Sequence, residues 1–377
     1  MSLVAILATC SAFAIGLGLT LPLLSLTLER RGFDATVNGL NLATAGLAAI
    51  CVTPFVPRLI HRFGTARYLS ACLIASAIAL LALYEIPSLW LWFPTRFLLS
   101  IALNSLFVIS EFWINQLADE SNRGRYISLY GACTAGGFGI GPAILAIIGT
   151  RGIGPFLCGS AMLLTALIPV FIARHSAPQV EERGTASVFQ TIRIAPAALT
   201  AALVFGAIDA GLWGLFPVYA VRSGYSETGA ALAIAATSIG AFLFQYPIGE
   251  LADRMDRRRL LALCAGAGVC GAVATPFLVQ SPAALYALLF LWGGIVMGIY
   301  TIGLTLLGER FKGVELANAN AAYVMLYAAG LLTGPTIEGV ALDAWNPTGL
   351  MAVLAAIALV YFGFLVVRRP KPVAGTA

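Results

Sequence analysis

A few charged side chains that interrupt long apolar runs carry most of the chemistry available to this chain. Asp209 and Glu111 are acids within such runs, and Arg96 is a base within another. A charged group in lipid is expensive unless it faces a cavity or a partner, so these positions could bind a solute or a proton. Trp213 follows Asp209 by four residues and therefore shares its helix face. A carboxylate beside an indole suits an amphipathic solute or an exchangeable proton; the alternative is an aspartate hydrogen-bonded to a neighbouring helix.

Two other groups leave more than one role open. Asn115 lies four residues after Glu111, within about two turns of the end of its run, so a gate network competes with proton coupling for this pair. Arg96 could bind an anion, hold a proton-relay carboxylate or form an ion pair with Glu85. Aromatic and amide side chains within the runs, each more often a core residue or an interface anchor, complete the candidate cavity: Gln245, Tyr300, Tyr323 and Tyr327.

No arrangement of residues points to catalysis or to a cofactor. The two histidines lie far apart, the seven cysteines form no Cys-x-x-Cys pair, and no Walker-type phosphate loop occurs. We therefore predict no enzyme, no ATP-driven pump, no metal and no other cofactor. The net charge of +5 would suggest nucleic acid for a soluble protein, but these bases lie in short loops between apolar runs, so no nucleic-acid partner is expected.

The elements that must position these side chains follow from composition. Of the 377 residues, 60% are hydrophobic and only 10% are charged, whereas a soluble domain has about 25% charged residues. The apolar runs reach the length of about 20 residues that a helix needs to cross a bilayer, and they exceed the strands of a membrane barrel. The chain is therefore predicted to be an all-α membrane protein. The predicted spans lie near 3–28, 37–57, 67–86, 89–117, 125–149, 153–173, 195–221, 228–251, 259–279, 282–308, 316–341 and 347–367.

A polar stretch divides these twelve spans into two groups of six. We predict an N-terminal bundle at 1–173, a cytoplasmic linker at 174–194, a C-terminal bundle at 195–367 and a cytoplasmic tail at 368–377. With a cytoplasmic N-terminus, 17 of the 22 Lys and Arg residues lie on the cytoplasmic side and four on the other. The positive-inside rule therefore predicts that both termini are cytoplasmic.

The two groups of spans also repeat one another. Residues 57–64, after span 2, align with 249–256, after span 8, at an offset of 192. Residues 137–142 in span 5 align with 330–335 in span 11 at an offset of 193. Matches at nearly one offset indicate duplication, and parallel six-helix repeats are a transporter architecture.

These motifs resemble the major facilitator superfamily. Residues 249–258 read GELADRMDRR, which is similar to that family's cytoplasmic signature except that Asp256 replaces a glycine. The resemblance covers nearly the whole chain, with a finer likeness to bacterial sugar- or drug-transporter-like members at 110–115 and 292–300. It implies the superfamily fold, with twelve transmembrane helices in two pseudo-symmetric six-helix bundles that rock about a central cavity.

The loop motif has a physical role that fits this resemblance. An aspartate just beyond a helix end can accept hydrogen bonds from a neighbouring helix while nearby arginines pair with carboxylates, which would form a state-dependent latch. The second loop supplies Asp253, Arg254 and Arg257. The first loop retains Arg62 and Gly64 but departs from the signature elsewhere, so its share of the latch is open. Plain anchoring of the cytoplasmic face by the arginines is the alternative.

The GxxxGP motif in spans 5 and 11 has a steric meaning. Glycines four residues apart let a neighbouring helix approach closely, and the proline removes a backbone hydrogen bond. Packing alone accounts for the motif, although in the superfamily it accompanies drug/proton antiport. The residues are Gly137, Gly141, Pro142, Gly330, Gly334 and Pro335.

These observations predict a secondary transporter of a small organic solute, coupled to protons as an efflux antiporter. We expect a monomer within the lipid bilayer of the bacterial inner membrane. Facilitated or proton-driven uptake of a sugar-like solute stays open, as does a receptor or scaffold with a transporter fold. Glu250 and Glu338 are expected at the membrane interface, outside the cavity.

Overall fold

The computed structural model describes residues 2–117, 123–172, 194–311 and 313–367. Within these ranges the chain is helical and has no strand, and twelve segments are long and apolar enough to cross a membrane. The predicted linker at 174–194, except for Ile194, and the tail at 368–377 lie outside the described residues. The spans are Ile6–Arg30, Ala35–Phe63, Thr65–Glu85, Leu89–Ile114, Leu129–Ile148, Gly154–Ile172, Pro196–Arg222, Glu227–Arg254, Arg257–Leu278, Pro282–Arg310, Asn318–Ala344 and Gly349–Val367.

Span 7 contains the irregular segment that matters most for function. Its first helix, Pro196–Ala210, passes into a π-helical turn at Gly211–Leu215 before the final helix Phe216–Arg222. Pro217 has no amide hydrogen to donate to the carbonyl four residues earlier, so the regular α-helical ladder is broken at this point. The extra residue in a π turn changes which face the following side chains occupy, and such turns are frequent at functional sites.

Equivalent glycines end the first span of each bundle. Gly32 has a φ of +80° and Gly224, which lies 192 positions later, has a φ of +97°. This left-handed conformation is readily adopted only by glycine. The predicted repeat therefore extends to backbone conformation.

The apolar side chains form two main clusters. One lies almost wholly in spans 1–6 and includes Trp92 and Phe156, and the other lies almost wholly in spans 7–12 and includes Trp292 and Tyr361. Because lipid supplies no hydrophobic driving force between helices, it is the close van der Waals packing of these side chains that stabilises each group of six helices as a bundle. The chain therefore has the predicted two-bundle architecture.

The motif glycines perform the same packing in both bundles. Gly137 and Gly141 lie against span 1, where an added Cβ would meet main-chain atoms, and Gly330 and Gly334 lie in the same way against span 7. Each pair lets two helices of one bundle approach at backbone distance. These contacts are of the kind that the steric interpretation of the motif expects.

The two bundles meet chiefly where span 2 contacts span 11 and span 5 contacts span 8. Glycines of span 2 again allow a close approach, since Gly39 lies against the carbonyl group of Pro335 and Gly46 against the backbone of Leu332. This interface surrounds the region in which most of the candidate residues lie.

Candidate functional site

Asp209 of span 7 is the centre of the candidate site. The hydroxyl group of Tyr327, on span 11, donates a hydrogen bond of 2.7 Å to its Oδ2 atom. The Trp213 side chain interacts with the same carboxylate from within the π turn. Asp209 is therefore a partnered acid at the point where span 7 loses its regular helical geometry.

Four aromatic rings packed against one another, one of which is hydrogen-bonded to this carboxylate, are referred to below as the aromatic wall: Phe205, Tyr300, Tyr323 and Tyr327. The ring centroids of Tyr300 and Tyr327 lie 5.6 Å apart, and those of Phe205 and Tyr300 lie 5.4 Å apart. Tyr323 is fully buried and donates a 2.7 Å hydrogen bond to the Tyr300 carbonyl oxygen. Tyr323 therefore braces the wall, whereas Tyr300 and Tyr327 are partly accessible.

The N-terminal bundle contributes the facing side of the site. The Phe138 ring of span 5 lies 5.5 Å from the Trp213 ring. Glu111 of span 4 is exposed, although it is close enough to Cys10, Tyr130 and Tyr300 to interact with them electrostatically. Tyr300 belongs to the other bundle, so acids from both bundles, Glu111 and Asp209, interact electrostatically with one ring of the aromatic wall. The side chain of Asn115 lies outside the described residues.

Gln245 and Arg96 lie apart from this centre. Gln245 accepts a 3.2 Å hydrogen bond from Thr301 within the C-terminal bundle. Arg96 is fully buried, and its Nε and Nη1 atoms have no hydrogen-bond partner. Among the described ion pairs there is none between Arg96 and Glu85, which is exposed. Arg96 also lies about 22 Å along span 4 from Glu111, at 1.5 Å per residue.

Glu338 corrects an expectation drawn from the sequence. Its predicted place at the membrane interface is wrong, because the residue is fully buried and its carboxylate lies against Gly211, near the middle of span 7. Span 11 continues to Ala344, beyond the predicted end at 341, so Glu338 lies deeper than the apolar run suggested. Its carboxylate lies against Gly211 in the π turn, and neither oxygen has a hydrogen-bond partner.

A network of ion pairs joins the bundles at one end of the molecule, which we call the closed face. Arg222, the last residue of span 7, donates hydrogen bonds of 2.7 and 3.1 Å to Glu29 of span 1 and one of 2.9 Å to Asp343 of span 11. Asp343 also accepts hydrogen bonds from the backbone amides of Ala35 and Thr36. These amides begin span 2, where the helix dipole favours a negative charge.

A second set of contacts strengthens this closure. Glu227, at the start of span 8, forms a 2.6 Å ion pair with Arg30 of span 1 and also accepts a hydrogen bond from the Thr150 hydroxyl group. Both sets lie at the same end of the molecule, and both connect the first bundle with the second. The described polar contacts between the bundles therefore shut this face.

The sequence and the arrangement of spans both resemble those of known proteins. A sequence profile of the Major Facilitator Superfamily matches residues 4–233 and 200–377. The chain belongs to this superfamily. It is therefore a multi-pass membrane transporter rather than an enzyme.

Relatives and solved structures agree with this assignment. An uncharacterized MFS-type transporter of Bacillus subtilis, YfkF, is 25% identical over 364 residues, which cover 94% of this chain and 92% of YfkF. One from Yersinia pseudotuberculosis is 26% identical over 315 residues, which cover 83% of this chain and 81% of the relative. A crystal structure of a variant of the nucleoside transporter NupG has a TM-score of 0.78 at 14% identity, with 97% of this chain and 98% of NupG covered. A bacterial homologue of the lysosomal transporter Spinster, inward-facing and unoccupied, has a TM-score of 0.69 at 14% identity, with 97% and 94% covered. At this identity the two structures establish the fold alone.

The superfamily signature lies at the end opposite the closed face. Arg254 pairs with Glu250 at 2.5 Å, and Arg257 pairs with Glu309 at 2.7 Å. Asp253 is 78% exposed, and its 3.5 Å contact is with Arg257, one turn further along the chain. These described ion pairs all lie within the C-terminal bundle, so they do not join the two bundles in this conformation.

The first-half copy of the signature contributes local structure. Gly64 ends span 2 with a φ of +82°, and the Arg62 guanidinium lies 5.5 Å from the Phe63 ring centroid. Gly64 therefore ends the helix, and Arg62 stacks on the neighbouring Phe63 ring. The latch role of the two loops stays a prediction.

Proposed function

We propose that this protein exports a small amphipathic organic solute in exchange for protons, by alternating access across the bacterial inner membrane. The observation that carries the proposal is the meeting of two acids from opposite bundles at one aromatic wall. Asp209 is hydrogen-bonded to Tyr327 of this wall, and Glu111 is close enough to Tyr300 of the wall to interact with it electrostatically. A solute bound here contacts both bundles and therefore responds to their relative motion.

The side chains of the site define the class of solute. Aromatic rings supply a large apolar contact area, and their faces attract cations. The carboxylate of Asp209 adds a full negative charge whenever it is ionised. We therefore expect a solute that combines an aromatic or other flat apolar part with a basic nitrogen.

The coupling follows from competition at one carboxylate. A carboxylate group can hold a proton or pair with a cationic solute, but it cannot do both at once. If each bundle conformation presents Asp209 to a different side of the membrane, proton entry drives release of the solute. This competition favours antiport over symport, in which proton and solute bind together.

The direction rests on the charge distribution. Arg58, Arg254 and Arg257 lie at the end opposite the closed face, in the loops that the positive-inside rule assigns to the cytoplasm. With both termini on that side, the closed face is periplasmic and the site is loaded from the cytoplasm. The orientation is compatible with efflux, and the GxxxGP motif, which in the superfamily accompanies drug/proton antiport, favours efflux over uptake.

The first test identifies the solute. A thermal-shift screen of the purified protein should give a higher melting temperature with cationic aromatic compounds than with neutral sugars, because ligand binding to the native state alone stabilises it by about 2.7 kcal/mol at 100 times Kd. Stabilisation by sugars alone would contradict the proposed solute class and support the uptake alternative.

The second test concerns coupling and uses Asp209→Asn in reconstituted vesicles with the solute that the screen identifies. The neutral amide resembles the protonated acid in shape, so pH-gradient-driven accumulation should be abolished while solute exchange is preserved. Glu111→Gln should change mainly the rate, and Glu85→Gln, an exposed acid outside the site, serves as the matched control. If Asp209→Asn accumulates solute with the wild-type dependence on the gradient, Asp209 is not the coupling site.

A further inference from the structure

Glu338 is a buried acid that the proposed exchange at Asp209 does not use. Its side chain is inaccessible to solvent, and among the described carboxylates it alone is buried with both oxygens lacking a hydrogen-bond partner. The carboxylate lies directly against the Cα atom of Gly211, where any side chain would clash with it. The absence of a side chain at Gly211 therefore creates the space that Glu338 occupies.

The surroundings of Glu338 require a neutral group. An ionised carboxylate in an apolar interior, with neither a counter-ion nor a hydrogen-bond donor, has a prohibitive solvation cost, and such a group takes up a proton instead. We propose that Glu338 is a second proton-binding site, occupied while the closed face is shut and emptied when that face opens.

The burial of Glu338 depends on contact between the two bundles. Span 2 covers this part of spans 7 and 11, since Leu42 packs against Gly214 of the π turn and Ala35 against Gly339 of span 11. Opening of the closed face must separate span 2 from these two spans. Water then reaches Glu338, and the carboxyl group can release its proton.

Other titratable groups on the neighbouring elements do not supply the missing partner. Asp209, two residues before Gly211, accepts a hydrogen bond from Tyr327. Asp343, five residues after Glu338, is paired with Arg222. None of the titratable or charged groups on its own span and on the packed spans hydrogen-bonds to Glu338. On the described spans 1, 2, 7, 10, 11 and 12 these groups are Cys10, Glu29, Arg30, Cys51, Arg58, His61, Arg62, Asp209, Tyr219, Arg222, Tyr286, Tyr300, Glu309, Arg310, Tyr323, Tyr327, Asp343 and Tyr361, with Asp34 just before span 2.

The sign of the pH effect follows from linkage. The closed conformation binds the proton and the open conformation releases it, so a lower pH favours closure and a higher pH favours opening. For one proton, the ratio of open to closed molecules rises by at most tenfold for each pH unit. Solvated carboxyl groups titrate near pH 4, so they contribute little between pH 5.5 and 8.5. Loss of the pH response in Glu338→Gln separates Glu338 from Asp209, which also exchanges a proton in the proposed function.

The test measures the conformation of the purified full chain in lipid nanodiscs without any solute. Spin labels at Pro87→Cys and Gln280→Cys, both exposed loop positions at the closed face, report the separation of the bundles in a background that lacks the native cysteines. In double electron–electron resonance, the long-distance population should rise with pH in the otherwise wild-type protein. Glu338→Gln should keep the short distance at every pH, whereas the exposed Glu85→Gln control should behave like wild type.

A second readout covers the case in which Glu338→Gln does not fold. Infrared difference spectra of the wild-type protein should show the C=O stretch of a protonated carboxylic acid disappearing as the closed face opens at high pH, and Asp209→Asn should retain this signal. A pH-independent distance distribution in the wild type, or an unaltered pH response in Glu338→Gln, would overturn the assignment. Because neither readout needs a solute, failure of the proposed export function would leave these results unaffected.

Discussion

Replacement of Arg222 by glutamine should release the closed face. This side chain makes three hydrogen bonds there, two to Glu29 and one to Asp343. Only the pair with Glu29 crosses between the bundles, since Asp343 and Arg222 both belong to spans of the C-terminal bundle. Opening therefore breaks the Glu29 pair and can leave the Asp343 pair intact.

The magnitude follows from the geometry and exposure of the Glu29 pair. Its two hydrogen bonds are bidentate, and the side chains of Arg222 and Glu29 are 16% and 19% exposed. Exposed ion pairs contribute about 0–1 kcal/mol, and removal of one partner from a buried pair costs about 3–5 kcal/mol. A pair of intermediate exposure should contribute roughly 1.5–2 kcal/mol, which corresponds to a shift of about 10- to 30-fold towards the open conformation.

The assay is the distance measurement between labels at Pro87→Cys and Gln280→Cys at one fixed pH. Arg151→Gln is the matched control, because the Arg151 side chain is 83% exposed and lies 3.5 Å from Glu227. This control should change the open population by less than about twofold. If Arg222→Gln gives no larger shift than Arg151→Gln, the ion pair does not hold the bundles together and the reasoning is refuted.

Three further predictions concern packing, the loop motif and topology. Gly141→Leu should overpack the contact with span 1 at a cost of about 1–3 kcal/mol, and it should lower the melting temperature by several degrees. Gly131→Leu is the control, because Gly131 has open space around it. Equal melting temperatures of the two variants would contradict the packing role. Asp253→Asn should slow transport in vesicles while solute binding is retained, and an unchanged rate would leave only the anchoring role. A reporter fused after Lys371 should read cytoplasmic and one inserted near Arg222 should read periplasmic, and the opposite signals would contradict the proposed orientation.

The sequence alone predicts the fold and some of the residues of the candidate site. Span length and apolar composition are local properties, so the twelve spans and their repeat could be read directly. The spacing of Asp209 and Trp213 likewise predicted that both side chains lie in one part of span 7. Tyr327 was a candidate, but its hydrogen bond to Asp209 joins residues 118 positions apart. Helix packing brings these two residues together, and the spacing of residues within one span cannot predict it.

Contacts at the ends of the spans were beyond this kind of prediction. Glu29 and Arg222 read as ordinary interfacial charges, because nothing in the sequence shows that two residues 193 positions apart meet across the bundle boundary. Glu338 was placed at the interface for a similar reason. Its burial depends on the width of the gap beside Gly211, which only the assembled helices define.

The contact between spans 2 and 11 has a kinetic consequence. Gly39 and Gly46 present bare backbone to the main chain of Pro335 and Leu332, so at these two contacts no interlocked side chains have to change rotamer when the helices tilt against each other. Their relative rotation should therefore have a low activation barrier. The rate of switching between conformations should accordingly be set by rupture of the Arg222–Glu29 and Arg30–Glu227 pairs, and it should rise with ionic strength as these charges are screened.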